Sequence, residues 1–309
     1  MTLVLLGVGV MLFCLPRWLG PLARLLHPRE RVRVSLAALL CGATVLELGL
    51  VLLSLPAVLD SLGNQALASA CRRLLGDLAP GGLRVGWSAL ALAFLLPLLA
   101  VRSWARSSAL SEQMRVEPSL GTHRYVDGIN VVHLPTQTVL AYSIDGLTPQ
   151  IVVSDGLAEL LTPVELDAVV GHEAAHITER HGRTLRALTA LETALPPMRW
   201  STQAVRVAIE RCADEVASDR DRGRRLALID ALARVGGLEI PAGAMPFVQR
   251  SGVLERVEAL LVPPPAPTTS QRLAARAIVA GAGVLGVAVV GAWVYEAHMM
   301  ASMVGVCHM

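Results

Sequence analysis

Two histidines separated by three residues are the feature of this sequence with the clearest chemical meaning. Residues 172–176 read His-Glu-Ala-Ala-His. A helix turns about 100° per residue, so His172 and His176 would lie about 40° apart on one face and could bind the same Zn²⁺. Glu173 could accept a proton from a zinc-activated water and deliver it to a leaving amine. The spacing therefore predicts zinc-dependent hydrolysis of peptide bonds.

The same pattern also arises by chance on exposed helices, so its surroundings matter. Thr162–Glu165 (Thr-Pro-Val-Glu) predicts a capping box with proline at the first helical position. Leu166, Val169 and Val170 then supply an apolar face just before the histidines. These signals place the motif in the middle of a half-buried helix, which favours a zinc site over two incidental histidines.

A catalytic zinc needs a third protein ligand and one open position. We expect the motif helix to continue to about Leu191 and to stop before Pro196-Pro197. On such a helix His181 would point away from His172, and no glycine separates it from the motif. We therefore expect His181 to be a surface or structural residue.

Two carboxylates on the next predicted helix, Thr202 to Arg222, are the better source of a third ligand. Glu210 and Asp214 lie one turn apart on the same face. One could bind zinc while the other orients a ligand histidine through its free ring nitrogen. The alternative is that this acidic and basic run is a solvated helix face. Spacing alone leaves both readings open.

His-Glu-x-x-His followed by Glu-x-x-Ala-Asp on a later helix resembles the Ste24/HtpX class of membrane gluzincins. It is most similar to the membrane protease modules of BlaR/MecR-type regulators. The similarity covers about Val126 to Leu261 and includes the approach Leu161–Leu166 and the pair Arg180-His181. The resemblance implies one Zn²⁺ per chain, with Glu210 as its third ligand and Asp214 as the residue that orients a ligand histidine.

The resemblance also sets expectations for the substrate. Similarity to BlaR/MecR implies a cytosolic transcriptional repressor, whereas similarity to Ste24/HtpX implies quality control of membrane proteins. In such gluzincins an edge strand above the zinc binds the substrate as an added strand. Thr138–Ser143 is the corresponding candidate, with Ala141 and Tyr142 nearest the site, although it could equally be an ordinary strand. BlaR/MecR sensors are acylated at Ser-x-x-Lys, but this chain contains no lysine, so any stimulus must enter by another route.

The composition indicates a membrane protein. Apolar residues make up 53% of the chain, and its mean hydropathy is +0.54. Four stretches are apolar enough to span a bilayer: Thr2 to about Leu19, Val34 to Leu59, Val85 to Val101, and about Leu273 to Tyr295. The arginines of the first loop place that loop in the cytoplasm. This predicts a multi-pass protein of the cell membrane with the segment after the third span in the cytosol.

Three domains follow from these boundaries. We expect three transmembrane helices in residues 1–101, a cytosolic zinc metallopeptidase domain in 102–272, and a fourth transmembrane helix with an external tail in 273–309. The middle domain contains the predicted strands Val126–Leu134, Thr138–Ser143 and Gln150–Ser154, the two helices above and a third helix, Arg224–Val235. The fold class is therefore mainly α with a small β-sheet: four transmembrane helices plus a cytosolic zincin-like metallopeptidase domain.

The sequence thus predicts a membrane-bound zinc endopeptidase whose partners are a protein or peptide substrate and the lipid bilayer. The formal net charge of +2 gives no indication of a nucleic-acid partner. The alternative from another class is a non-catalytic signal transducer whose zinc only joins two helices. A structural site of that kind has four protein ligands, whereas the sequence offers three.

Three polar residues outside the motif carry further hypotheses. Glu47 lies in the middle of the second predicted span, where it is either functional or, as we favour, a protonated acid bonded between helices. Cys71 in the outer loop and Cys307 in the outer tail would lie on the oxidising side and could form a disulfide. We favour two unpaired thiols for that pair.

Overall fold

The computed structural model describes residues 7–12, 14, 27–75, 82–116, 120–218, 221–236 and 253–262, and parts of 268–287. Most of these residues are helical, and a small four-stranded sheet lies among the helices. The helices are α1 (Pro28–Ser61), α2 (Gln65–Leu75), α3 (Gly82–Gln113), α4 (Asp155–Leu160), α5 (Pro163–Thr178), α6 (His181–Ala194), α7 (Arg199–Ser218), α8 (Arg222–Gly236) and α9 (Val253–Leu261). The strands are β1 (Thr122–Val126), β2 (Ile129–Leu134), β3 (Ala141–Ile144) and β4 (Gln150–Ser154).

Helices α1 and α3 are long and apolar enough to cross a membrane, which suggests that the protein is membrane-associated. They contain the second and third predicted spans. Two such helices, rather than four, occur among the described residues. The first and fourth predicted spans lie largely outside those residues.

Helix α3 continues for twelve residues beyond Val101, where the third span was predicted to end. Arginines interrupt the apolar run after this point, but they do not interrupt the helix. The extension instead packs against α6: the Ser103 hydroxyl lies 2.9 Å from that of Thr193, and the Arg186 guanidinium lies 5.6 Å from the centre of the Trp104 ring. The predicted domain boundary therefore falls inside one continuous helix.

Helix α2, in the loop between the two spans, was not predicted. The Asn64 side chain accepts a hydrogen bond from the Leu67 amide near its start, and Arg72 pairs with Asp60 at 3.0 Å. Cys71 is buried on this helix. Cys307 lies outside the described residues, so the hypothesis about this pair stays a prediction.

The sheet has the strand order β1-β2-β4-β3. The predicted strand Val126–Leu134 is wrong at its start: only Ile129–Leu134 of it forms β2, and Val126 is the last residue of β1, which pairs antiparallel with β2 across a turn at Asp127-Gly128. Asp127 and Gly128 have φ values of 49° and 78° and form a two-residue turn that the Asp-Gly pair favours. β4 is confirmed with its predicted bounds and is buried along its whole length. β3 pairs only with β4, so its other backbone edge is left without a partner strand among the described strands.

The prediction of one helix from Pro163 to about Leu191 is wrong. The chain leaves the helix at Glu179-Arg180, where Arg180 adopts a left-handed conformation with φ of 56°, and α6 begins at His181. The break has a tertiary cause, because α5 packs on the sheet while α6 packs on α3. One straight helix could not contact both.

Helix α7 connects the sheet region with the long helices. Val205 and Ile209 pack with Leu39 of α1 and Leu188 of α6. On its other side, Ala217 joins the core made by the sheet, α5 and α8. This position allows α7 to present further side chains to the histidine motif on α5.

Candidate metal centre and active site

The start of helix α5 is fixed by the predicted capping box, which is confirmed. The Thr162 amide donates to the Glu165 carboxylate at 2.8 Å, and the Glu165 amide donates to the Thr162 hydroxyl at 3.4 Å. Arg234 of α8 binds the same carboxylate at 3.0 Å. These contacts lower the pKa of Glu165 despite the opposing effect of burial. The histidine motif therefore begins well inside a helix with a defined start.

The structure brings together the three side chains expected to bind metal. The Nε2 atoms of His172 and His176 lie 3.1 Å apart. A Glu210 carboxylate oxygen lies 3.5 Å from Nε2 of His172, and the other lies 3.8 Å from Nε2 of His176. The three donor groups lie within 4.8 Å of one another and could hold a metal ion.

The chemistry of this donor set fits a zinc ion. Two imidazoles and one carboxylate are a ligand set of catalytic zinc. Burial lowers the pKa of His176 to about 4, which keeps its ring neutral at pH 7. Burial opposes ionisation of Glu210, but His172, His176 and Arg256 outweigh it and lower its pKa to about 2. The cluster thus offers a neutral imidazole and a charged carboxylate, both in the protonation state that metal binding needs.

Asp214 lies behind His172, as expected for a residue that orients a ligand. Its carboxylate is 2.9 Å from Nδ1 of His172, which leaves Nε2 directed at the metal position. Burial disfavours a charged His172, but its hydrogen bonds to Asp214 and Glu210 raise its pKa to about 9. Metal binding must therefore displace a proton from this ring at neutral pH.

Arg256 of α9 is a site residue that no sequence pattern indicated. Its guanidinium donates two hydrogen bonds to Asp214, at 2.8 and 2.6 Å, and lies 3.3 Å from Glu210. The side chain is buried, and its cationic form is stabilised by these two carboxylates. One arginine thus compensates both Glu210 and Asp214 of α7.

His181 is buried against the site, so the expectation that it lies on the far side of the helix is wrong. The turn at Arg180 brings its Nδ1 within 3.1 Å of Nδ1 of His176. Burial and the neighbouring His176 lower the pKa of His181 to about 3, so the ring is neutral. His181 is outside the group of possible metal ligands and contacts the outer nitrogen of one of them. Both histidines of the motif therefore have an outer partner.

Glu173 is buried beside the metal cluster. Burial raises the pKa of its carboxyl, and the charge of His172, followed by the side chain of Ser143 on β3, partly opposes that effect. A carboxylate of raised pKa is a better proton acceptor near neutral pH. Glu173 does not belong to the cluster of possible metal ligands, which suits a residue that handles protons.

A cavity of about 110 Å³ opens beside the metal cluster. Ala141 and Tyr142, the two residues expected nearest the site, line it together with Ser143. The edge strand β3 therefore lies along the cavity. The other walls are formed by the metal cluster, Glu173 and side chains of the α5–α6 region, including Ile177 and Leu185.

The far wall of this cavity is held by an ion pair. Arg186 donates two hydrogen bonds to Asp145, at 2.8 and 3.0 Å, just after β3. Gly182 of α6 lies against this carboxylate, and a Cβ atom at Gly182 would be 2.7 Å from it. The close approach requires glycine here and ties the end of β3 to the start of α6.

Residues 129–217 match Peptidase family M48. The match extends from β2 to the end of α7 and so contains the histidine motif, Glu210 and Asp214. It supports a zincin-type metallopeptidase. The search of curated proteins and the search of solved structures give no significant match.

The M48 match ends before α9, so Arg256 lies outside it. Sequence reasoning missed Arg256 because 42 residues separate it from Asp214, and no spacing rule connects them. It missed the role of His181 for another reason, since the turn at Arg180 contains no glycine or proline. An Arg-His pair shortly after the motif was the only available signal.

Proposed function

We propose that this chain is a membrane-bound zinc metalloendopeptidase. The observation that carries the proposal is the convergence of His172, His176 and Glu210 beside a buried Glu173, on a cavity bordered by an edge strand. The M48 match supports the same class of activity.

Each side chain has a role that follows from its contacts. A bound zinc ion would act as a Lewis acid and make a water molecule acidic enough to lose a proton near pH 7. Glu173 would accept that proton and donate it to the leaving amine, which its raised pKa favours. Asp214 and His181 would hold the two ligand rings, and Arg256 would hold the carboxylates of α7.

The substrate would bind as an extended strand along β3. The free edge of β3 offers backbone donors and acceptors, and Ala141 and Tyr142 place this edge on the cavity. Ser143 would link strand and catalytic carboxylate through its contact with Glu173. A substrate in this position would run past the metal cluster with its peptide bond accessible to Glu173.

Hydrolysis is tested by Glu173→Gln in purified full-length protein loaded with zinc. The variant should retain zinc but lose cleavage by a factor on the order of 10² or more, because only the proton acceptor is removed. Glu159→Gln makes the same change on an exposed carboxylate and should cleave at the wild-type rate. Wild-type activity in Glu173→Gln would show that Glu173 is not the base.

A cytosolic transcriptional repressor is the proposed substrate, on the resemblance to BlaR/MecR-type regulators. The related alternative is quality control of membrane proteins, on the resemblance to Ste24/HtpX. Comparison of the proteomes of wild-type and Glu173→Gln cells distinguishes them. A repressor that accumulates intact only in the variant supports the first, and a set of damaged membrane proteins supports the second.

The proposed orientation places the catalytic region in the cytosol. The arginine distribution supports it. A reporter fused after Arg250 should behave as cytosolic and one fused after Gly76 as external. The reverse pattern would put the active site on the wrong side for a cytosolic repressor.

A non-catalytic transducer with a structural zinc is the second candidate. It would require a closed site with four protein ligands. Among the described residues, the possible ligands form a group of three, and the group borders an open cavity. This favours the peptidase.

A further inference from the structure

A second cavity lies between α1, α3 and the C-terminal end of α6, the end opposite His181. Its volume is about 490 Å³. Binding sites for small molecules typically measure about 300–1,000 Å³ and are mostly apolar with a few polar groups. The wall here is apolar and is formed largely by Leu46, Val51, Leu96, Pro97, Leu191 and Leu195.

Among the described residues that line the cavity, Glu47 is the one acidic side chain and none is basic. The sequence led us to favour a Glu47 bonded between helices. Among the described residues, Glu47 has no hydrogen bond or ion pair with another helix. The nearby hydroxyl of Thr44 donates to the Leu40 carbonyl of its own helix at 3.0 Å. The Glu47 carboxyl is therefore available to a molecule in the cavity.

The cavity lies between α1 and α3, two helices that pack against each other elsewhere along their length. Pro97 lies inside α3 and on the cavity wall. A proline in a helix has no amide hydrogen to donate and its ring presses on the preceding turn, which disturbs close helix packing.

A carboxylate in apolar surroundings is costly unless a cation or hydrogen-bond donor pairs with it. A primary ammonium group on a linear hydrocarbon chain meets both demands of this cavity. The charge would pair with Glu47, and the chain would lie against the leucines of the three helices. We propose that this cavity binds an amphiphilic amine. The proposal depends on neither zinc nor proteolysis.

An acyl chain of the surrounding lipid is the competing occupant. It would fill the same apolar space but would make no use of Glu47. The two occupants differ in one property, the dependence of binding on the head group, and this property can be measured with matched probes.

The experiment uses the purified full-length chain in phosphatidylcholine nanodiscs, with empty nanodiscs subtracted. Saturable binding of dodecylamine, dodecanol and dodecanoate is measured at pH 7, where the amine is protonated. Wild-type protein should bind dodecylamine more tightly than the other two. Glu47→Gln should weaken dodecylamine binding by on the order of tenfold and leave dodecanol binding unchanged, because it removes only the charge-assisted contact.

A second variant tests the location of the site. Leu191→Trp should reduce binding of every probe, because the larger ring occupies the space between the three helices. Its zinc content reports whether the remainder of the chain is folded. Glu159→Gln removes an exposed carboxylate elsewhere and should bind like the wild type.

Three results would overturn the proposal. The first is equal affinity of wild-type protein for the three head groups, which is the outcome expected of an acyl-chain site. The second is unchanged dodecylamine binding in Glu47→Gln. The third is absence of saturable dodecylamine binding to wild-type protein.

Discussion

The metal centre and the cavity at Glu47 differ in whether their acidic side chains have charged partners on the protein. Around the metal centre, Asp214 and Glu210 are compensated by Arg256 and by histidine, with contacts of 2.6 to 3.8 Å. In the second cavity, Glu47 lies on an apolar wall, and none of the described lining residues is basic. The first arrangement is complete within the protein except for a metal ion.

The difference determines where a molecule from outside the protein can act. A carboxylate whose partners are all on the protein holds neighbouring groups in place, and its removal should unfold or loosen the site. A carboxylate without such partners contributes little to folding, so its removal should mainly change ligand binding.

Arg256→Met should have the largest effect on stability. It leaves Asp214 and Glu210 without their shared cation in a buried setting, which should cost about 3–5 kcal/mol. The stability of the metal-free protein is measured by thermal unfolding. Adding Asp214→Asn should recover part of the loss, since it removes one uncompensated charge. An Arg256→Met protein as stable as the wild type would contradict the compensated arrangement.

His181→Ala should weaken zinc binding by about 10- to 100-fold, because His176 loses the partner of its outer nitrogen. Zinc affinity is measured by competition with a chelator. A matched control is His133→Ala on β2, a histidine outside the metal cluster. Equal losses in both variants would show that the effect is not due to the contact with His176.

Gly182→Ala should destabilise the protein by about 1–3 kcal/mol, because the new methyl group meets the Asp145 carboxylate, which Arg186 holds in place. Gly171→Ala is the matched control on α5. There a Cβ atom makes only an ordinary contact of 3.9 Å with Ala217, so the change should stabilise by about 0.5–1 kcal/mol. Changes of the same sign in both variants would argue against the close approach at Gly182.

Glu47→Gln should change the free energy of unfolding by less than about 0.5 kcal/mol, because it breaks no hydrogen bond or ion pair among the described residues. Thermal unfolding without added amine checks this. A loss of several kcal/mol would show that Glu47 has a structural partner, and the contrast between the two regions would fail.

Local signals in the sequence predicted the centre of the site well. The capping box at Thr162–Glu165 and the apolar residues after it are short-range features, and both lie where expected. Spacing of three or four residues also places Glu210 and Asp214 on one face of α7. Such patterns act within one helix and do not depend on the rest of the fold.

Features that depend on contacts between distant segments were missed. The turn at Arg180 exists because α5 and α6 pack against different partners, and nothing in the adjacent residues requires it. Arg256 approaches Asp214 only after the chain has formed α8 and α9. The extension of α3 beyond Val101 was missed because the end of an apolar run was taken as the end of a helix.

Helix α6 contacts both the metal centre and the cavity at Glu47. Its first residue, His181, contacts a candidate metal ligand, and its last turn, at Leu191 and Ala194, lines the Glu47 cavity. If occupancy of one end changes the free energy of occupancy at the other, thermodynamic reciprocity requires equal coupling in both directions. A molecule that binds beside Glu47 and raises zinc affinity fourfold would itself bind fourfold more tightly to the zinc-loaded protein, about 0.8 kcal/mol of coupling.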